Sequence, residues 1–275
     1  SLVFVRPHYD RSMTSVPVAG RAPLSPLGLA FLVVASTGWG LNFPIMKFLL
    51  TEWPPLSSRG LCGVVGAAGL ALVAVARGQR LCVPDGMWLR LALVSTLSIG
   101  GWVASMGLAL IWLRASEAAV LGISIPVWVA LVAWPVLGER PTLLRTIALV
   151  MAFAGLAAIM GGNGISASKE KLPGIIMALG GAFGFALGTV LAKKYPLVMP
   201  PIPAAAWQIG LGCVPIAIVG LLIETTHIDR ITTVGWWLLV YSTLIQFCVA
   251  YVAWFAALAR LPASVAAIGT MAVPV

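Results

Sequence analysis

The chain has 275 residues, of which 60% are hydrophobic and 9% charged, and its mean hydropathy is +1.03. A soluble domain usually carries about 25% charged residues because its surface faces water, so this composition excludes a soluble globular protein and indicates one surrounded by lipid. The net charge of +9 does not indicate nucleic-acid binding, because Lys and Arg occur singly or in pairs between apolar runs, as in the cytoplasmic loops of membrane proteins.

The chain begins with a polar, proline-rich stretch, and we interpret residues 1–26 as an N-terminal tail that is cytoplasmic or disordered. After it, one apolar run follows another, and about 20 apolar residues suffice for a helix to cross the hydrocarbon core. Short connections rich in Pro, Gly or charge separate the runs, so neighbouring helices are expected to be antiparallel. The predicted spans are 27–50, 56–76, 88–113, 116–137, 142–160, 173–192, 202–223, 234–259 and a ninth that begins at 262.

The distribution of basic residues predicts the orientation of these spans. If the N-terminus lies in the cytoplasm, 11 Lys and Arg residues fall on the inner side and 6 on the outer side, which together make the 17 in the chain. Short cytoplasmic loops carry the excess of positive charge. We therefore expect a cytoplasmic N-terminus.

The sequence contains an internal repeat. Residues 115–127, ASEAAVLGISIPV, align without a gap to residues 263–275, ASVAAIGTMAVPV, and the segment 38–47 aligns similarly to 184–193. Chance matches between alanines would not also place a serine, a proline and a lysine in register. Each half then holds five spans, and an odd number of spans inverts the second copy in the membrane, as in many secondary transporters.

We therefore expect an all-α membrane protein built as inverted five-helix repeats, a ten-helix transporter fold of which about nine helices are present in this chain. The first repeat is predicted at 27–163 and the second, incomplete repeat at 173–275. The first half continues for 36 residues beyond Val127, to Asn163, whereas the second half stops at the equivalent position. We expect the end of the ninth span and the whole tenth span to be missing from this sequence.

Three segments carry a resemblance to a known family. The stretch GWGLNFPIMK at 38–47, Arg59 early in the second span, and ASEAAVLGISIPVWVALVAWPVLGERPT at 115–142 resemble the drug/metabolite transporter superfamily, in its EamA-type branch with two EamA repeats. The resemblance covers the chain from about residue 27 to its end. It implies ten helices in inverted five-helix repeats, and export or exchange of small molecules across the bacterial inner membrane.

Prolines within predicted spans identify candidate helix breaks. A proline cannot donate a hydrogen bond to the carbonyl four residues earlier, and in transporters such breaks occur at the substrate site near the midplane. A second interpretation stays open, because proline often only kinks a transmembrane helix. The prolines are Pro44, Pro126 and Pro274, and the carbonyls that they leave free belong to Gly40, Gly122 and Thr270.

Polar and aromatic residues deep in the spans are the candidates for substrate contact. An amide or hydroxyl in hydrocarbon is costly unless it faces a partner or a wet cavity. Each of these side chains either lines such a cavity or joins two helices by a hydrogen bond or by packing, and the sequence leaves both interpretations open. The candidates are Trp39, Asn42, Ser98, Trp102, Ser124, Gln208, Gln246 and Thr270.

The charged residues allow fewer predictions about the substrate site than the polar and aromatic ones do. Glu117 is the candidate for proton coupling, although a carboxylate at the start of a helix is also favoured by the helix dipole. No Lys or Arg lies clearly at mid-span, and Lys47, Arg59 and Arg114 are expected to extend from helix ends to the membrane surface. This expectation argues against a phosphate-bearing substrate and favours a neutral, zwitterionic or amphipathic molecule.

No catalytic motif is present, and the four cysteines and two histidines do not have metal-ligand spacing. We therefore predict no catalytic residues, no metal and no cofactor. The predicted function is that of a secondary-active transporter, an exporter of an amino acid or a drug-like amphiphile by alternating access. The alternatives are a nucleotide-sugar or other metabolite exchanger of the same superfamily, a channel, and a membrane enzyme or scaffold without transport. The expected partners are a small-molecule substrate and the lipid bilayer, and the chain is either a monomer or a homodimer.

Overall fold

The computed structural model describes residues 25–138 and 169–261, together with positions 147, 151, 154 and 155. Within these residues, 7 helices are long and apolar enough to cross a membrane. They are α1 (Pro26–Leu49), α2 (Pro55–Ala76), α3 (Trp88–Trp112), α4 (Ala115–Leu137), α5 (Leu172–Lys194), α6 (Pro201–Ile223) and α7 (Thr233–Leu258). A 3₁₀ turn at Ile228–Arg230 lies between α6 and α7.

These helices overlap the predicted spans closely, and the all-α membrane fold is confirmed. The helices α5, α6 and α7 correspond to the sixth, seventh and eighth predicted spans. The predicted spans at 142–160 and from 262 onward lie outside the described residues, apart from isolated positions of the former.

Proline and glycine mark where several of these helices begin and end. Pro26, Pro55 and Pro201 each occupy the first position of a helix, where the missing N–H is not needed and the fixed φ angle already suits the helix. At the other end of α4, Gly138 has a φ of 71°. This left-handed conformation ends the helix and favours glycine, which has no Cβ to clash.

The connections between helices lie on two faces of the helix bundle. At one face, Lys171 at the start of α5 forms an ion pair with Glu117 near the start of α4, with 2.7 Å between Nζ and Oε1. At the other, Arg260 after α7 stacks on Phe31 near the start of α1, with 5.3 Å from its guanidinium carbon to the ring centroid. We call these the Trp53 face, which carries residues 50–54, 113–114, 169–171 and 224–232, and the Tyr195 face, which carries residues 77–87, 195–200 and 259–261.

The second half of the chain is inverted relative to the first. The helix α1 starts at the Tyr195 face, whereas its repeat partner α5 starts at the Trp53 face. Helix packing follows the same relation: α1 packs on α7, its counterpart α5 packs on α3, and α2 packs on α6 along much of its length. If the two halves are exchanged, the α1–α7 contact becomes the α5–α3 contact, and the α2–α6 contact maps onto itself. The inverted repeat expected from the sequence is therefore present in the helix packing.

Both repeats contain a stretch of π-helix at the same place. One lies within α3 at Thr96–Gly101 and the other within α7 at Ser242–Ala250. The repeat offset of 148 residues maps 96–101 onto 244–249, inside the second stretch. A π-helix is rare and is frequently found at functional sites.

Small residues allow α2 and α6 to approach closely. A Cβ atom built on Gly60 would meet the backbone N and Cα of Ala217, and one built on Gly63 would meet Sγ of Cys213. Small residues at a crossing point are how membrane helices gain packing contact without a hydrophobic driving force between them. Since the atoms facing Gly60 are backbone, a larger residue there would have to move a whole helix.

This contact predicts that Gly60→Ala destabilises the protein by about 1–3 kcal/mol, the usual cost of overpacking. Gly69→Ala on the same helix is the matched control, because a Cβ at Gly69 has no heavy atom within 4 Å, and it should be neutral or stabilising by about 0.4–1 kcal/mol. Thermal unfolding of the purified variants in detergent measures both effects. Equal unfolding temperatures for the two variants would contradict the close approach at Gly60.

Candidate functional site

A central cavity lies between α1, α2, α3, α4, α5 and α7. Its empty space, including the open mouth, is about 700 Å³. Mostly apolar walls with a few polar groups are typical of sites for small organic molecules. The lining residues are Trp39, Asn42, Phe43, Met46, Arg59, Trp102, Met106, Ala119, Gly122, Ile123, Ile125, Phe185, Gln246 and Tyr251.

Two broken helices border this cavity. The helix α1 is interrupted between Gly40 and Asn42, and α4 is interrupted between Gly122 and Ile125. Pro44 and Pro126 follow the breaks, and neither can donate to the carbonyl four residues earlier. Asn42 and Gly122 both line the cavity, so each break adjoins it.

Both breaks thus occur at the prolines named from the sequence. The use of their carbonyls by a substrate stays a prediction. The third proline, Pro274, and the carbonyl of Thr270 lie outside the described residues.

Four aromatic side chains form one side of the cavity, which we call the aromatic wall. Trp39 meets Tyr251 edge to face with 5.2 Å between ring centroids, and Trp102 meets Phe185 in the same manner at 5.7 Å. Trp254 lies behind the wall and contacts both Trp39 and Phe185, at 5.5 and 6.4 Å. Edge-to-face contacts hold these rings in fixed orientations, so the wall presents a preformed apolar surface to the cavity.

Two buried amides line the same cavity in different states. Asn42 has partners for both ends of its side chain, because Nδ2 donates to Sδ of Met46 at 2.7 Å and Oδ1 accepts from the hydroxyl of Ser242 at 3.5 Å. Gln246 is 4% exposed, and its Oε1 has no hydrogen-bond partner among the described residues. A buried carbonyl without a partner costs free energy, so Gln246 is an acceptor that a ligand or a water can satisfy.

Arg59 is also part of the cavity wall, and the expectation that it extends to the membrane surface is wrong. Its side chain is buried, at 7% exposure, and it lines the central cavity. Its Nε donates to the carbonyl of Val103 at 3.2 Å, and its Nη1 donates to Sδ of Met46. Arg59 lies one turn inside α2, where the ends of α1 and α3 cover it, so the guanidinium is directed into the protein.

A second, smaller cavity continues from the central one toward the Trp53 face, and we call it the outer cavity. Its empty space, including the open mouth, is about 340 Å³, and it shares Met46, Arg59 and Gln246 with the central cavity. Its other walls come from parts of α1, α2, α3 and α7 that lie nearer the Trp53 face, such as Leu50 and Pro55. The two cavities therefore adjoin each other, with Arg59 at their junction.

The structure brings four of the sequence candidates to the central cavity: Trp39, Asn42, Trp102 and Gln246. Three others are buried elsewhere. The hydroxyl of Ser98 donates to the carbonyl of Val94 at 2.5 Å, and that of Ser124 donates to the carbonyl of Leu121 at 2.6 Å. Gln208 lies on α6, which contributes no residue to this lining. Their contact with a substrate stays a prediction without support from this arrangement.

Glu117 lies outside both cavities. Its carboxylate accepts from the backbone N–H of Arg114 at 2.9 Å and forms ion pairs with Arg114 at 3.1 Å and Lys171 at 2.7 Å. It therefore closes the N-terminus of α4 as a helix cap and ties this end to the start of α5. The candidate role of Glu117 in proton coupling stays a prediction.

Several cavity residues were not named from the sequence, and one signal could have found some of them. Phe185 aligns with Trp39 in the repeat, so the two rings line the cavity from equivalent positions of opposite halves. Tyr251 lies about one residue from the position equivalent to Trp102. Extending each candidate to its repeat partner would therefore have identified most of the aromatic wall.

Apolar substitutions at the two buried amides are expected to have different effects on the stability of the protein. Gln246→Met replaces an unpartnered carbonyl by an apolar group of similar length, so the unfolding temperature should stay the same or rise. Asn42→Leu is the matched comparison, because it removes two hydrogen bonds and should destabilise the protein by about 1–3 kcal/mol. Thermal unfolding in detergent distinguishes them, and a Gln246→Met variant less stable than Asn42→Leu would show that Gln246 is satisfied in the folded protein.

Comparison with known proteins extends these observations. The family model described as "EamA-like transporter family" matches residues 26–161 and 172–275. Two relatives from Bacillus subtilis (strain 168) are similar along much of the chain. "Uncharacterized transporter YvbV" is 30% identical over 197 residues, which are 72% of this chain and 63% of that protein, so the match spans less than two thirds of its length. "Uncharacterized transporter YoaV" is 24% identical over 237 residues, which are 86% of this chain and 81% of that protein.

A solved structure described as "Crystal structure of protein" shares the fold, with a TM-score of 0.69 and 19% identity over 90% of this chain and 83% of its own. The repeated family match agrees with the two inverted halves and with the resemblance carried by the segments at 38–47 and 115–142. The chain is a multi-pass membrane protein that belongs to the EamA-like transporter family of the drug/metabolite transporter superfamily.

Proposed function

We propose that the protein is a secondary-active exporter of a small organic metabolite, an amino acid or a drug-like amphiphile, which works by alternating access. The observation that carries this proposal is the central cavity between the inverted halves, bordered by the broken helices α1 and α4. In secondary transporters the substrate site lies at the repeat interface, where helices are discontinuous. Rocking of one half against the other then exposes that site to each side of the membrane in turn.

The composition of the cavity supports a small organic substrate. Its walls are mostly apolar and carry a few polar groups, which is the usual lining of a site for such molecules. The aromatic wall offers an apolar surface, and Asn42, Arg59 and Gln246 offer polar contacts at one edge. A molecule with an apolar body and a polar end fits such a surface.

The proposed setting is the bacterial inner membrane, with the N-terminus in the cytoplasm. The excess of Lys and Arg on one side of the predicted topology supports this orientation, which makes the Trp53 face the outer one. An exported molecule then enters from the Tyr195 face, reaches the central cavity, and leaves past Arg59 through the outer cavity.

An exchanger of anionic metabolites is the second candidate. Without a buried cation in the spans, an anionic substrate would be disfavoured. The burial of Arg59 in the cavity wall removes that objection. Exchange and export differ in whether efflux requires a counter-substrate on the opposite side, which is a property of the transport cycle.

The contribution of the aromatic wall to transport can be tested with Trp39→Ala and Trp102→Ala. Truncating a wall residue removes apolar contact with the substrate, so flux should fall about tenfold or more at a subsaturating concentration. Trp237→Ala is the matched control, because the Trp237 side chain is 70% exposed and lines neither cavity, so this variant should transport normally. The measurement is efflux of labelled amino acids and cationic dyes from proteoliposomes.

An equal fall in flux for Trp237→Ala would indicate a general defect of the variants and not a loss of contact between the cavity and the substrate. If folded wild-type protein moves none of these compounds, with or without compounds supplied on the opposite side, the proposed transport of this substrate class is wrong. Flux that requires a compound on the opposite side would favour the exchanger.

Glu117→Gln distinguishes a structural carboxylate from a coupling one. Because Glu117 bonds Arg114 and Lys171 and lines neither cavity, we expect a loss of stability of roughly 1–3 kcal/mol and a retained response of transport to an imposed pH gradient. Lys171→Met should reproduce the loss of stability. Abolition of the pH response in a Glu117→Gln variant of normal stability would instead support proton coupling through this residue.

A further inference from the structure

Arg59 is a buried cation without a carboxylate partner. None of the described residues places a carboxylate oxygen within 4 Å of its guanidinium, since the ion pairs found there join Glu117 to Arg114 and Lys171. A guanidinium has five N–H donors, and described residues accept from two of them, through the carbonyl of Val103 and the sulfur of Met46. Both acceptors are uncharged, so the positive charge itself is not neutralised by these contacts.

Two carboxylates at the Trp53 face, those of Glu52 and Glu224, are engaged elsewhere. Glu52 accepts from the backbone and hydroxyl of Thr232, at 3.1 and 2.7 Å. Glu224 accepts from the backbone N–H groups of Leu56 and Ser57, at 2.9 and 2.7 Å, and so closes the N-terminus of α2. These two carboxylates stabilise helix ends and connections, and none of the described residues pairs a carboxylate with Arg59.

A buried charge is costly unless an opposite charge pairs with it. Arg59 lines both the central and the outer cavity, and it is the only charged residue in either lining within the described part of the chain. Gln246, whose Oε1 has no partner, lines the same two cavities. The junction of the cavities thus combines a cation that lacks an anion with an acceptor that lacks a donor.

We propose that Arg59 binds the carboxylate of the transported molecule, and that the substrates are small carboxylates with an apolar or aromatic body. This inference rests on the proposed transport function and names the chemical class of its substrate. A carboxylate matches the planar fork of a guanidinium, with which it forms two parallel hydrogen bonds. A single Arg in the described lining suits one negative charge better than the two of a phosphate monoester. The apolar body then lies against the aromatic wall, and Gln246 accepts from an N–H or O–H group of the substrate.

The test compares acids with amides of the same size, on the full chain purified in detergent. One pair is 3-phenylpropionate and 3-phenylpropanamide, and the other is hexanoate and hexanamide. Ligand binding to the folded state raises the unfolding temperature, so thermal unfolding with increasing ligand gives the relative affinities. We expect each acid to bind at least about tenfold more tightly than its amide, which corresponds to the loss of one charged hydrogen-bonded pair. Phenyl phosphate serves as the phosphate-bearing comparison and should bind more weakly than 3-phenylpropionate.

Three variants then assign the effect to Arg59. In Arg59→Gln the preference for acid over amide should disappear, and in Arg59→Lys it should be reduced but present, because the charge remains without the fork. Lys47→Gln is the matched control: Lys47 is a cation near the same face whose Nζ donates to the carbonyl of Leu110 at 2.5 Å and which lines neither cavity. Its acid preference should equal that of the wild-type protein.

The outcomes of these experiments distinguish the proposed carboxylate site at Arg59 from the proposed transport function. Equal binding of acids and amides by wild-type protein, or the absence of acid binding, overturns the carboxylate site whether or not Arg59→Gln folds. An acid preference that survives in folded Arg59→Gln also overturns it. Tighter binding of phenyl phosphate than of 3-phenylpropionate replaces the carboxylate by a phosphate as the ligand and overturns the substrate class. Arg59-dependent binding without flux in proteoliposomes keeps the anion site and refutes transport, whereas flux that is indifferent to charge and to Arg59 keeps transport and refutes the site.

Discussion

Inside a lipid bilayer no water is available to satisfy backbone N–H and C=O groups, and the rest of this structure depends on that constraint. It requires continuous helices wherever the chain faces lipid. The interruptions of α1 and α4 are therefore informative, because both adjoin the central cavity. The same condition applies to side chains. Asn42 and Gln246 can be buried at depth because they line the central cavity and do not face the hydrocarbon.

Much of the fold could be predicted from the sequence, because long apolar runs and short polar connections determine where helices cross. The inverted repeat was also readable, since proline, serine and lysine recur in register between 115–127 and 263–275, or between 38–47 and 184–193. The π-helical stretches of α3 and α7 were not predicted. No residue type marks a π-turn, and its formation depends on packing between helices that are distant in the sequence.

The site was only partly predictable, and Arg59 shows why. An arginine one turn from a helix start can extend to the membrane surface or be covered by neighbouring helices, and the sequence around it is the same in both cases. Here Met46 and Val103, from two other helices, accept its hydrogen bonds. Ser98 and Ser124 show the opposite case, because a hydroxyl at depth can satisfy itself on its own helix. Which face of a helix meets the cavity is decided by tertiary contacts.

The exchange of contacts between the halves has a consequence for the energy landscape. The pairs α1–α7 and α3–α5 are equivalent by the repeat, yet their π-helical stretches differ in length, with 9 residues in α7 and 6 in α3. The halves thus have related sequences and unequal geometries. A conformation in which the two halves trade geometries would form the same kinds of contacts, so pseudosymmetry alone brings the two conformations close in free energy. Near-degeneracy of this kind lets a small difference in ligand affinity shift the population from one to the other.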